Sequence, residues 1–110
     1  MSDTSITLYR GAAATSNTTL YTAPTGVAVA VTNIAVVNDS AASVTATINL
    51  ATFPLLGGIS VAANSTQFVD LEQIVYNGET ITGSASTTTV DFHIAGYEVY
   101  SWVYHRHPKP

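Results

Sequence analysis

Val27-Ala28-Val29-Ala30-Val31-Thr32-Asn33-Ile34-Ala35-Val36-Val37-Asn38 is the stretch whose reading decides the fold. Apolar side chains occupy both parities of it: Val27, Val29, Val31, Ala35 and Val37 on one, Ile34 and Val36 beside Thr32 on the other. Side chains alternate between faces along a strand, so a segment apolar on both is expected inside a sheet that is covered from two sides.

Outward from this segment, Val, Ile, Thr and Tyr recur in short runs broken by Gly, Pro, Asn, Asp and Ser, while helix signals are nearly missing. Strands are expected over Ile6 to Arg10, Thr18 to Thr22, Val27 to Asn38, Ser43 to Ala51, Ile59 to Val61, Thr66 to Leu71, Thr80 to Ala85 and Val90 to Tyr104. About eight strands with turns at short, even spacing predict an all-β fold, a single antiparallel β-sandwich that is jelly-roll-like or immunoglobulin-like. Val90, Phe92 and Ile94 should face the core, with Asp91 and His93 facing out, and Gly96 allows a bulge or a close backbone approach. Ala23-Pro24-Thr25-Gly26 and Asn38-Asp39-Ser40 read as hairpin connections, and Tyr76-Asn77-Gly78-Glu79 carries the Asn-Gly pair that accepts positive φ in a tight turn.

Three segments follow: an N-terminal arm over 1–14, a sandwich body over 15–99 and a C-terminal extension over 100–110. The prolines of His105-Arg106-His107-Pro108-Lys109-Pro110 suit that last segment poorly to a sheet, since each removes a backbone donor. A chain of 110 residues has room for one domain with one modest core. It holds no cysteine, so packing alone must stabilise it. Met1-Ser2-Asp3-Thr4-Ser5 lacks the basic and apolar regions of a secretory leader, and no window is apolar enough to span a bilayer, so synthesis in the cytoplasm and no membrane partner are expected.

Charge narrows the function. Charged residues are 9% of the chain against a typical value of about 25%. No lysine or arginine lies between Arg10 and Arg106, whereas Asp39, Asp70, Glu72, Glu79, Asp91 and Glu98 do. Nucleic acid is thereby disfavoured as a partner, because phosphate neutralisation dominates that affinity. A surface this poor in repulsion is instead suited to oligomerisation or to burial in an assembly.

Catalytic and metal signals are thin. His93 stands two residues from Asp91 on one strand face, a pair that more often is simply solvated than active. His105 and His107 form His-x-His, which could hold a metal if a neighbouring copy supplied a third ligand; with no cysteine or carboxylate near them a polar tail is the better reading and no metal is expected. Neither a Gly-x-Ser-x-Gly elbow nor a phosphate-cradling glycine loop occurs, Asp70 and Glu72 stand two apart on one strand face whereas glycosidase acids need a set separation across a cleft, and neither an enzyme nor a cofactor is expected. The one unusual constellation is aromatic: Tyr100, Trp102 and Tyr104 recur at period two after Tyr97. That pattern fits a core face, a docking surface or a platform for sugar rings. Tyr9, Arg10, Tyr97, Tyr100, Trp102, Tyr104, His105, Arg106 and His107 are the candidate interface residues.

Leu20-Tyr21-Thr22-Ala23-Pro24-Thr25-Gly26, then Val31-Thr32-Asn33-Ile34-Ala35-Val36-Val37-Asn38, Leu55-Leu56-Gly57-Gly58-Ile59, Ala62-Ala63-Asn64-Ser65-Thr66, Asn77-Gly78-Glu79-Thr80-Ile81 and Val90 to Val99 together resemble the small β-sandwich virion proteins of tailed bacteriophages. The likeness runs over about residues 18 to 99. It implies a structural, non-enzymatic part of the particle, most like the capsid decoration or cement proteins. Those sit on the outer capsid surface as homotrimers and stabilise contacts between subunits of the major capsid protein. The alternative it leaves is a tail-tip, fibre or head-tail protein that binds host carbohydrate.

Overall fold

The computed structural model describes residues 5–99, and within them every regular element is a strand. Its elements are β1 (Ile6–Ala12), β2 (Thr18–Thr22), β3 (Ala28–Asn38), β4 (Val44–Leu50), β5 (Phe53–Val61), β6 (Ser65–Tyr76), β7 (Thr80–Ala85) and β8 (Val90–Val99). They form two four-stranded antiparallel sheets, β1-β8-β3-β6 and β2-β7-β4-β5. The pairings are nested in sequence: 1 with 8, 2 with 7, 3 with 6 and 4 with 5. This is the strand order of a jelly roll, which decides between the two sandwich types the sequence allows.

The central segment does sit inside a sheet, between β8 and β6. Its two-parity pattern has a second cause. The register of β3 shifts between Val31 and Asn33 against both neighbours, with Thr32 the extra residue against β8 and Leu71 and Glu72 together opposite it on β6, and the faces of β3 turn over there. Val29 and Val31 face the core before the bulge, Ile34 and Val36 after it, and all four are fully buried. They meet Phe92, Ile94, Ile48 and Ile81 between the sheets, each such side chain contributing about 1.5–3 kcal/mol by leaving water. Val90, Phe92 and Ile94 face inward as their alternation predicts.

Asn38 is the exception in this core, a fully buried polar side chain. Its Nδ2 donates to the carbonyls of Ala42 (2.8 Å), Ala62 (3.0 Å) and Val61 (3.2 Å), and its Oδ1 accepts from the amide and hydroxyl of Ser40. The end of β3 is thus tied to two loops through one residue.

The turns differ from expectation in what they join. Pro24 to Val27 is a tight turn with Gly26 at φ 77°, and Asn77-Gly78 turns at φ 50° and 88°. Both pass between sheets, as does the segment after Asn38, because the nested order places successive strands in opposite sheets. Among the described strands only β4 and β5 form a hairpin of sequence neighbours, around Ala51 (φ 50°) and Thr52 (φ 70°). The sequence segment 1–14, set apart as an arm, contains β1, which is hydrogen-bonded to β8 from Ile6 to Ala12 as the edge of its sheet. β5 begins at Phe53, well before Ile59, and tolerates Pro54 because it is an edge strand. β6 likewise runs on from Leu71 to Tyr76.

Candidate functional site

The outer face of sheet β1-β8-β3-β6 is built from alternate residues of four strands. On β3 it presents Ala28, Ala30 and Ala35, which are buried yet stand outside the core between the sheets. Register explains their burial. Ala35 lies between His93 and Phe68, Ala30 between Tyr97 and Ile74, and Ala28 between Val99 and Tyr76. Small side chains in the middle strand with large ones on both sides make a shallow trough. Its β6 wall is unusually apolar for a surface: Phe68 is 66% exposed, Ile74 51% and Tyr76 40%. Asp70 and Glu72 lie between these on the same strand, and Asp70 accepts a 2.9 Å hydrogen bond from Asn33 Nδ2.

At the end of the sandwich where β8 reaches Val99, further apolar groups gather. Phe53, which opens β5, is 73% exposed, and Ile6 at the start of β1 is also exposed. Between the start of β5 and the end of β6 lies a cleft of about 340 Å³ lined by Leu50, Phe53, Pro54, Leu55 and Ile74, with Glu79 at its rim. Tyr21, half-buried near this end, has its phenol pushed above its usual range, first by burial and then by the Glu98 carboxylate.

Of the residues singled out from sequence, Arg10 and Tyr97 lie on the outer face. Arg10 stands opposite His93 and donates to Thr7 Oγ1 (3.3 Å), and the Tyr97 hydroxyl reaches Glu72 Oε2 at 3.4 Å across β3. Tyr9 is half-buried and packs against the core, its hydroxyl donating to the Ala12 carbonyl (2.9 Å). Asp91 and His93 share the outer face as expected, and no group of three metal-ligating side chains occurs among the described residues. Tyr100, Trp102, Tyr104, His105, Arg106 and His107 lie outside the described residues. Sequence reasoning passed over Phe53, Phe68, Ile74 and Tyr76. The last three occupy the even positions of β6, opposite in parity to Val69, Leu71 and Val75, and that alternation was a readable signal.

The arrangement offers contact area with little charge. Large exposed side chains backed by a rigid sheet are material for a protein interface, since aromatic and aliphatic anchors lose little side-chain freedom on docking. Compared with protein-family models, curated proteins and solved structures, the chain matches none.

Proposed function

We propose that this protein is a capsid decoration protein of a tailed bacteriophage, a non-enzymatic module that binds the outside of the mature shell and braces neighbouring subunits of the major capsid protein. The reading places it on the virion surface as a homo-oligomer, a trimer by the resemblance. The observation that carries it is the apolar β6 wall of Phe68, Ile74 and Tyr76 beside the alanine-floored trough, on a body almost free of cations. An exposed apolar patch on a rigid sheet marks an interaction surface. Many copies bound only to the mature lattice would stabilise it in proportion to occupancy.

Quantitative mass spectrometry of purified particles tests this. Copies near parity with the shell protein are expected, and Phe68→Ser, which alters an exposed side chain, should weaken binding to particles while leaving the fold intact. A handful of copies would shift the protein to the tail and favour the carbohydrate-binding alternative. Absence from particles would overturn the virion assignment.

A further inference from the structure

Four strands border the two sheets, and three of them are guarded. β1 carries Arg10 and a bulge between Thr7 and Tyr9, β2 is five residues long, and β5 holds Pro54 and two breaks in register. Shortness, proline, cations and bulges are the usual means of keeping an edge from pairing further. β6 is the longest described strand, at 12 residues; it has no proline, lysine or arginine, and its one register shift falls at Leu71-Glu72. Among the described strands only β3 pairs with it. Along its outward parity the order is Phe68, Asp70, Glu72, Ile74, two carboxylates between two exposed apolar side chains.

We propose that the outer edge of β6 receives an extended segment of a partner protein as a fifth strand of the sheet, and that this segment carries two lysines or arginines at alternate positions, flanked at the same spacing by apolar residues. In strand addition of this kind backbone hydrogen bonds supply attachment and alternate side chains supply selection. Charge selects the occupant. Asp70 accepts from the Asn33 amide and Glu72 from the Tyr97 hydroxyl, both neutral donors. Arg10, the one lysine or arginine among residues 5–99, stands on β1 at the far edge of the sheet. The described part of the sheet thus brings no lysine or arginine to either carboxylate, and a cationic strand across the edge supplies both. A second copy does not. Antiparallel self-pairing that sets Phe68 of each copy against Ile74 of the other also sets Asp70 of each against Glu72 of the other, and like charges directly opposite destabilise a ladder. The two acids therefore refuse another β6 while admitting a basic strand, so the same pair both selects and excludes. The inference rests on reading β6 as an interaction surface and adds the chemistry of what it binds; under the capsid reading the strand belongs to a shell subunit.

The probe is the peptide Thr-Val-Thr-Lys-Thr-Lys-Thr-Val-Thr, labelled for fluorescence anisotropy and titrated with the full-length protein at low salt. Its counterpart with glutamate at both lysine positions should bind at least about tenfold more weakly, since two cross-strand charge pairs change sign. Asp70→Asn with Glu72→Gln, both at exposed positions, should abolish that preference while the far-ultraviolet circular dichroism stays that of the sandwich. In amide hydrogen exchange, the β6 amides not bonded to β3 should exchange fast in the protein alone, and the lysine peptide should slow them. No binding of the lysine peptide, equal binding of the two peptides to the unaltered protein, slowed exchange elsewhere in place of β6, or a preference indifferent to Asp70→Asn with Glu72→Gln would each overturn the proposal. Outward β6 amides already slow without peptide would also overturn it, in favour of the same chain as occupant where the protein is monomeric and of a second copy where Phe68→Ser with Ile74→Ser lowers its mass in solution. Copy number in particles tests the virion reading by itself: abundant copies together with failed peptide binding would overturn the added strand and keep that reading.

Discussion

Gly96 on β8 is pressed against the carbonyl oxygen of Ala30 on β3, so closely that a methyl group at 96 would overlap it, while Leu8 Cδ1 bounds the same space at 3.1 Å. The contact involves backbone, which cannot rotate away as a side chain would. Gly96→Ala should therefore destabilise by about 1–3 kcal/mol through overpacking. A lowered urea midpoint would show this, and Gly57→Ala, where an added Cβ meets nothing within 4 Å, should leave the midpoint nearly unchanged.

Asn38 provides the second test. It is buried, and its amide serves three carbonyls at once. Asn38→Ala leaves those acceptors with fewer donors, and the expected loss is about 1–3 kcal/mol in chemical denaturation. Asn38→Asp should be at least as harmful, because a carboxylate cannot donate and would be buried charged. Equal stability of all three proteins would mean that water replaces the amide.

Ala51 and Thr52 hold positive φ without the residues that favour it. A left-handed conformation costs an ordinary residue about 1–2 kcal/mol, and a branched Cβ such as that of threonine suits it poorly. Replacing the pair by Asn-Gly should raise the thermal midpoint, with a gain of about 1 kcal/mol corresponding to roughly 4–8 °C in a domain of this size. An unchanged or lower midpoint would show that the hairpin relaxes elsewhere.

The Tyr21 phenol, raised by burial and then by Glu98, gives a pH prediction with a definite sign. A group whose folded pKa lies above its unfolded value binds its proton more tightly in the folded state. Its contribution is complete below the ordinary tyrosine range and is lost as pH rises through the raised value. Stability should fall on the alkaline side of about pH 10, and Tyr21→Phe should flatten that fall. An alkaline limb identical in both proteins, measured by denaturation across pH, would remove Tyr21 as its source.

How far the sequence revealed this molecule depends on the kind of signal. β8 was legible because Val90, Phe92 and Ile94 alternate strictly with Asp91, His93 and Ala95, and nothing interrupts the period. β3 was legible as an interior strand, but its bulge against β8 at Thr32 was hidden: an extra residue leaves no mark in composition, and apolar residues on both parities also fit burial from two sides. β5 was largely missed because Pro54, Gly57 and Gly58 look like turn residues, and only its place at a sheet edge makes them acceptable. The connections after Thr22 and Asn38 were recognised as turns but given to hairpins, and the one after Tyr76 was recognised as a tight turn, since local turn chemistry carries no information about which sheet the next strand joins. For the site, charge poverty was readable throughout, whereas the trough was not. It depends on which residue of β3 stands beside which of β6, and that follows from the bulge.

The nested strand order also sets a timetable. Because β1 is hydrogen-bonded to β8, nearly the first and nearly the last described segments must meet before that side of the sheet exists. A ribosome delivers β1 long before its partner, and only the β4–β5 pair can close as soon as it emerges. Assembly should therefore spread outward from the middle of the chain, late and slow as distant pairings are. Until Val90 and the residues after it are released, β1 and β3 each lack the strand that belongs between them, and the nascent chain is most exposed to the wrong neighbour during that interval.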